Sequence, residues 1–165
     1  MYMAKLRILT FPDPRLRKVA SPVTKFNKGL ENLVSDMLHT MYEEGGVGLA
    51  ASQVNIHQRV IVIDFSENRD DPMVFINPEV KILSDKSLLS SKEGCLSVPG
   101  VEEEITRPDN IYLTWQDIKG SKYEETPSGL LTVCIQHEID HLEGKLMVDY
   151  LSPLKRDRIR KKAKK

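Results

Sequence analysis

Apolar residues recur at helical spacing in two stretches of the chain, and between them the pattern changes to short apolar runs. Leu30, Leu33, Val34, Met37, Leu38 and Met41 lie three and four apart, which puts them on one face of a helix of about four turns. Asn27 precedes the run as a cap, and Gly45-Gly46 ends it. In the middle of the chain that period is lost. "VIVIDF" (60–65) and "MVFINP" (73–78) are short and rich in β-branched and aromatic residues, with the polar "SENRDD" between them as a turn. "VKIL", "ITRP" and "IYLTWQD" are further strands, followed by Gly120 as a turn. A second helix follows, with Thr126 as its cap, Pro127 at its first position and Gly144 as its stop. A third starts near Ser152-Pro153 and runs into the C-terminal end. The early "FPDPRLRKVASP" is extended or turning, because proline fixes its own φ and restrains the residue before it.

Composition adds one contrast. A chain of 165 residues, 40% of them hydrophobic, suits a single core, so one domain is expected over residues 1–165. Its 24 basic and 24 acidic residues cancel, but the last eleven, "KRDRIRKKAKK", hold eight basic and one acidic side chain. The end is therefore +7 and the body −7. Neither a secretory pattern nor an apolar run of membrane-spanning length is present, so no membrane contact and a cytoplasmic location are expected. In that reducing compartment two cysteines rarely pair. Cys95 and Cys134 are accordingly read as thiols.

The chemistry begins at "QHEIDHLEG" (136–144). One helical turn separates His137 from His141, so both rings leave one face and can grip one ion. Glu138 beside them completes H-E-x-x-H, in which the histidines hold a metal and the glutamate handles a proton of bound water. A catalytic site of this kind needs a third protein ligand. The other histidines are His39 and His57, and nothing after Gly144 resembles a third-histidine extension. Cys95 in "EGCLSVPG" is the best upstream candidate, presented from a loop, although an isolated cysteine is usually a small buried side chain. Cys134, three before His137, is read as a pocket wall. "GGVGLAASQ" (45–53) is small and Gly-rich, lets a ligand approach the backbone, and ends in Gln53, whose amide can donate to an oxyanion. It lacks the spacing of a phosphate-binding loop, so no nucleotide is expected.

Taken together, "GVGLAASQ", "EGCLSVPG" and "QHEIDHLEG" resemble the three ordered motifs of the peptide deformylase family, G-φ-G-φ-A-A-x-Q, E-G-C-φ-S and H-E-x-x-H, with φ apolar. "FPDPRLR" and "DYLSPLKR" extend the likeness to the bacterial type over nearly the whole chain. The resemblance implies an α+β fold: a single compact domain with antiparallel or mixed sheets around a central metal-binding helix, and helices toward both ends. It also implies hydrolysis of the formyl group from the initiator methionine of new polypeptides. By the same resemblance Cys95, His137 and His141 hold one divalent ion, Fe(II) by preference, with Zn, Ni or Co able to replace it. Glu138 is the general acid/base, and Gln53 and the Leu96 N–H donate to the oxyanion. Gly46, Val47 and Gly48 form the edge that pairs with the peptide backbone. Leu130, Val133 and Cys134, one to two turns before His137, are expected to wall the methionine pocket. Some relatives place an arginine or tyrosine near Glu102, so the acidic residue here changes the surroundings of the substrate's path. The basic residues of 153–165 suit a contact with the ribosome. Two rival readings fit less well, and a thiol hydrolase using Cys95 with a histidine is a weaker third. A zincin-like peptidase needs a third His or Glu ligand that is not found, and a metal-stapled RNA-binding module leaves Glu138 and Gln53 without work.

Overall fold

The computed structural model describes residues 3–163. Helix α1 spans Lys28–Glu43 and buries Leu30, Val34, Met37, Thr40 and Met41. Asn27 caps it as the spacing predicts, its side chain accepting from the Leu30 N–H at 3.2 Å. At the other end Gly45 N–H donates to the Tyr42 carbonyl and Gly46 N–H to the Met41 carbonyl, the bond pair that satisfies the last free carbonyls. Gly45 makes that turn at φ 71°, a conformation that costs glycine least.

Seven strands follow: β1 (Gly48–Ala50), β2 (Val60–Ile63), β3 (Met73–Ile82), β4 (Leu88–Cys95), β5 (Val98–Pro108), β6 (Ile111–Gln116) and β7 (Lys122–Glu125). Five of them make one sheet in the order β1-β2-β3-β6-β7, and β4 with β5 makes a separate hairpin. Every strand pairing is antiparallel. Helices α2 (Leu130–Leu142) and α3 (Pro153–Ala163) complete the chain. The fold is α+β, as the family resemblance implies.

Strand β2 explains why "VIVI" has no polar alternation. Val60 and Val62 pack with Leu30, Val34, Met37 and Met41 of α1, whereas Ile61 and Ile63 pack with Ile135 and Leu142 of α2. Successive side chains leave opposite faces of a strand, so α1 covers one face of the sheet and α2 the other. A third cluster joins Leu9, Phe11 and Leu16 to Val98 and Ile105 of β5 and to Leu146, Met147 and Val148. The N-terminal lead thus ties the hairpin to the segment after α2.

Several boundaries differ from expectation. Helix α2 starts at Leu130, not at Thr126-Pro127, because Gly129 sits at φ 63° and ψ −135° and interrupts any helical run across it. "MVFINP" and "VKIL" are one strand, β3, bent where its pairing shifts between Ile76 and Glu79 and where Asn77 takes φ 51°. Cys95 is the last residue of β4, opposite Val98 at the hairpin tip, instead of lying in an open loop. Strands β4 and β7 carry too few apolar residues to be marked by periodicity.

No residue of α3 is buried, yet the helix is anchored. Arg156 donates to the carbonyls of Val148, Asp149 and Leu151, and Ile159 packs on the third cluster. Residues 164 and 165 of the basic end lie outside the described residues. Among the described residues no helix is long and apolar enough to cross a membrane.

Candidate active site

Helix α2 carries two adjacent stripes of side chains at one-turn steps: Leu130, Cys134 and Glu138, and beside them Val133, His137 and His141. Its C-terminal half is buried between the β1 edge and the hairpin, with His137 7% and His141 1% exposed. Cys95 Sγ reaches to 3.3 Å from His141 Nε2. One ligand atom from each of Cys95, His137 and His141 can be chosen so that all lie within 4.8 Å of one another. That spacing suits a shared ion with bonds of about 2.0–2.3 Å. The donor set also suits a metal chemically: one thiolate and two imidazoles are ligands for Fe, Co, Ni and Zn. His137 Nδ1 is engaged by Glu93 Oε1 at 2.9 Å, which leaves Nε2 for an ion. The sequence-predicted ligands therefore converge.

Glu138 is 5% exposed and its Oε1 has no hydrogen-bond partner. Burial pushes its carboxyl up to about 7, against the pull of His137. Oε2 lies against Gly48, where an added Cβ would stand 2.6 Å from it. Any larger residue there would displace the Glu138 carboxylate. Gln53, on the short turn Ala51–Val54, is fixed at its carbonyl end, which accepts from the Ala50 N–H at 2.9 Å. Its Nε2 donates to Ser97 Oγ at 3.0 Å and lies 3.6 Å from Cys95 Sγ. These groups share a cleft of about 870 Å³ walled by Gly46, Val47, Gly48, Gln53, Cys95, Leu96, His137 and Glu138, with Glu44 and Glu102 also on its wall.

Four of the expected site residues are not on that wall: His141, buried behind it, and Leu130, Val133 and Cys134. Leu130 is 52% exposed at the start of α2, whereas Val133 and Cys134 are buried. Burial pushes the Cys134 thiol up to about 12, so it stays a neutral thiol.

A family model described as polypeptide deformylase matches residues 5–157. The chain belongs to the polypeptide deformylase family. Peptide deformylases of Cellvibrio japonicus and Pseudomonas aeruginosa are 56% and 55% identical to it over 163 residues, covering 99% of this chain and 96% of each relative. The solved peptide deformylase of Legionella pneumophila is 44% identical, with a TM-score of 0.89 over 99% of this chain and 94% of that one. That of Ehrlichia chaffeensis in complex with actinonin is 39% identical, with a TM-score of 0.92 over 98% and 97%. The chain is an enzyme of this family, whose members remove an N-terminal formyl group.

The deformylase motifs account for the candidate ligands but not for what holds them, and two residues that support the site were missed from sequence. Glu93, which orients His137, is gripped by Arg107 through Nε at 2.6 Å and Nη2 at 2.8 Å. Arg107 Nη1 also reaches Asp140 at 3.0 Å, and Tyr150 hydroxyl donates to Asp140 at 2.6 Å. Outer partners of this kind fix the ring and tautomer of a ligand histidine. One signal was available. Glu93 and Cys95 are two apart, so in a strand both side chains leave the same face. Arg107, on the other strand of the hairpin, had no local signal.

Proposed function

We propose that this deformylase-family chain hydrolyses the formyl amide at the N-terminal formyl-methionine of newly made polypeptides in the cytoplasm. Cys95, His137 and His141 hold one divalent ion, with Fe(II) expected and Zn, Ni or Co suited to the same donors. When bound, such an ion lowers the pKa of water toward neutrality and polarises a carbonyl oxygen. Glu138 moves the protons: it takes one from the attacking water and delivers it to the amide nitrogen as the C–N bond breaks, leaving formate and a free amine. Burial raises the carboxyl and a neighbouring cation lowers it, and a group balanced between the two can take a proton and return it. Gln53 Nε2 and the Leu96 N–H donate to the charge developing on the formyl oxygen; losing one such donor typically costs about 3 kcal/mol. Gly46, Val47 and Gly48 supply the strand edge for the peptide backbone. Leu130, Val133 and Cys134 continue the Glu138 and His137 stripes of α2; they lie outside the cleft wall, so as the apolar lining for the methionine side chain they would be reached only where that side chain extends past His137 and Glu138.

The observation that carries this reading is the buried, unpartnered Oε1 of Glu138 beside three convergent ligand atoms. Glu138→Gln keeps the shape and removes the base. Its kcat/KM on a formyl-Met peptide is expected to fall about 10²–10⁴-fold, with metal content per chain unchanged. Full activity in that variant would falsify the assignment of the base.

Ribosome docking through α3 forms the second part of the proposal. Arg158, Lys161 and Lys162 are exposed, and a cationic helix suits phosphate-rich RNA. Deleting residues 155–165 would also remove the anchors at Arg156 and Ile159. Replacing Arg158, Lys161 and Lys162 by Gln is the cleaner test: ribosome co-sedimentation at moderate salt should drop while turnover of a free peptide stays the same. Unchanged co-sedimentation rules the contact out.

A further inference from the structure

The carbonyl of Gly46, on the proposed peptide-pairing edge, is already taken. Arg69, in the loop after β2, donates to it from Nη2 and to the Asp64 carbonyl from Nη1 at 2.7 Å. The same guanidinium lies 5.3 Å over the ring of Tyr42, in the last turn of α1. Asp64 beneath is fully buried. Its carboxylate accepts from the Tyr42 hydroxyl at 2.6 Å, from the N–H and hydroxyl of Ser66, and from the Asp71 N–H at 3.1 Å. Its backbone N–H donates to the Val47 carbonyl at 2.8 Å. The loop after β2 therefore touches the edge twice, at Val47 through Asp64 and at Gly46 through Arg69.

Arg69 sits at φ 57°, a left-handed conformation uncommon for a residue with a side chain. That conformation calls for a compensating interaction. The guanidinium fork supplies it by spanning two carbonyls at once, which a lysine ammonium does not match. Other ties hold the rest of the edge. Gly48 lies so close to Glu138 that an added methyl group would displace its carboxylate, and the 46–48 segment is tied to α1 at Gly46 N–H and to β2 at Gly48. Arg69 fixes the remaining outward carbonyl, and it does so without lining the cleft.

We propose that Arg69 is a positioning residue for the substrate: it pins the 46–48 edge from outside the cleft, so that an incoming peptide backbone meets an ordered partner. This rests on the proposed role of that edge in deformylation. A loosened edge must be ordered again at each binding event, and that cost falls on binding and not on the chemical step. Steady-state kinetics of the metal-loaded enzyme on formyl-Met-Ala-Ser test it. Arg69→Ala should raise KM about 10-fold with kcat within about 2-fold, and Arg69→Lys should lie between it and the wild type. Melting curves confirm that each variant is folded. A folded Arg69→Ala with wild-type KM, or with its whole loss in kcat, overturns the proposal. Should the alanine variant fail to fold, the same split in Arg69→Lys decides the question. An inert wild type would remove the proposed function and this inference together, whereas an active wild type with unchanged variant KM removes the Arg69 role alone.

Discussion

Glu93 and Glu138 are the same residue type, both 5% exposed, and both act on His137, yet their surroundings drive them in opposite directions. Burial would raise Glu93, but the Arg107 fork and the His137 ring hold it down to about 2. Glu138 has no such grip, burial prevails, and it stands near 7. On the hairpin side of α2, Glu93, Arg107 and Asp140 answer one another; on the β1 side Glu138 Oε1 is buried without a partner. Partner supply, together with the depth at which Glu138 lies, and not residue type, separates a fixed charge from a candidate proton carrier.

The contrast has a consequence for stability in the metal-free protein. Glu138 binds its proton more tightly when folded than at the ordinary 4.5. Stability is therefore lost as pH rises from about 4.5 through about 7, a gap worth about 3 kcal/mol. Glu93 has the opposite sign. Its folded value near 2 lies below 4.5, so its contribution is complete above pH 4.5 and is lost only as pH falls toward 2. Of the two carboxylates, only Glu138 acts between pH 4.5 and 7; the shifted histidines His57, His137 and His141 also act near 6.5, so the comparison with Glu138→Gln is what isolates it. Chelator-treated wild type should lose about 3 kcal/mol relative to Glu138→Gln across that window, read from denaturant midpoints at each pH. Parallel curves for the two proteins would break the comparison, and flattening of the wild-type curve on adding zinc would sharpen it, since a nearby cation favours the carboxylate.

Local periodicity made much of this legible. The α1 stripe and its Asn27 cap, the i, i+4 histidines, and the glycines that admit close approach at Gly48 are all written in neighbouring residues. The start of α2 was misjudged because a good cap and proline at Thr126-Pro127 are overridden by the Gly129 backbone, which no pattern of side chains announces. Strand β4 escaped because its inward positions, Leu89, Ser91, Glu93 and Cys95, are mostly polar, so no apolar alternation marks it. Arg107 with Glu93, and Arg69 with Gly46, meet across 14 and 23 positions. Pairs like these are created by the fold, so a chain read in short windows shows both partners and not their meeting.

Substituting Glu93 gives the subtler variant, and it crosses with the one at Glu138. A glutamine at 93 offers one acceptor oxygen where two are now used, by His137 and Arg107 at Oε1 and by Arg107 at Oε2. Its amide nitrogen would face a guanidinium, donor against donor, or face the His137 ring and force the tautomer. Either way the ligand histidine is held less firmly. Glu93→Gln is expected to weaken metal binding about 10–100-fold, measured by competition against a chelator of known affinity, while the fully loaded enzyme keeps more of its kcat than Glu138→Gln does. One glutamate then controls whether the ion stays, and the other whether the proton moves. If Glu93→Gln held its metal as tightly as the wild type, the Arg107 grip on Glu93 would be a matter of folding only, and the two carboxylates would differ in environment without dividing the labour.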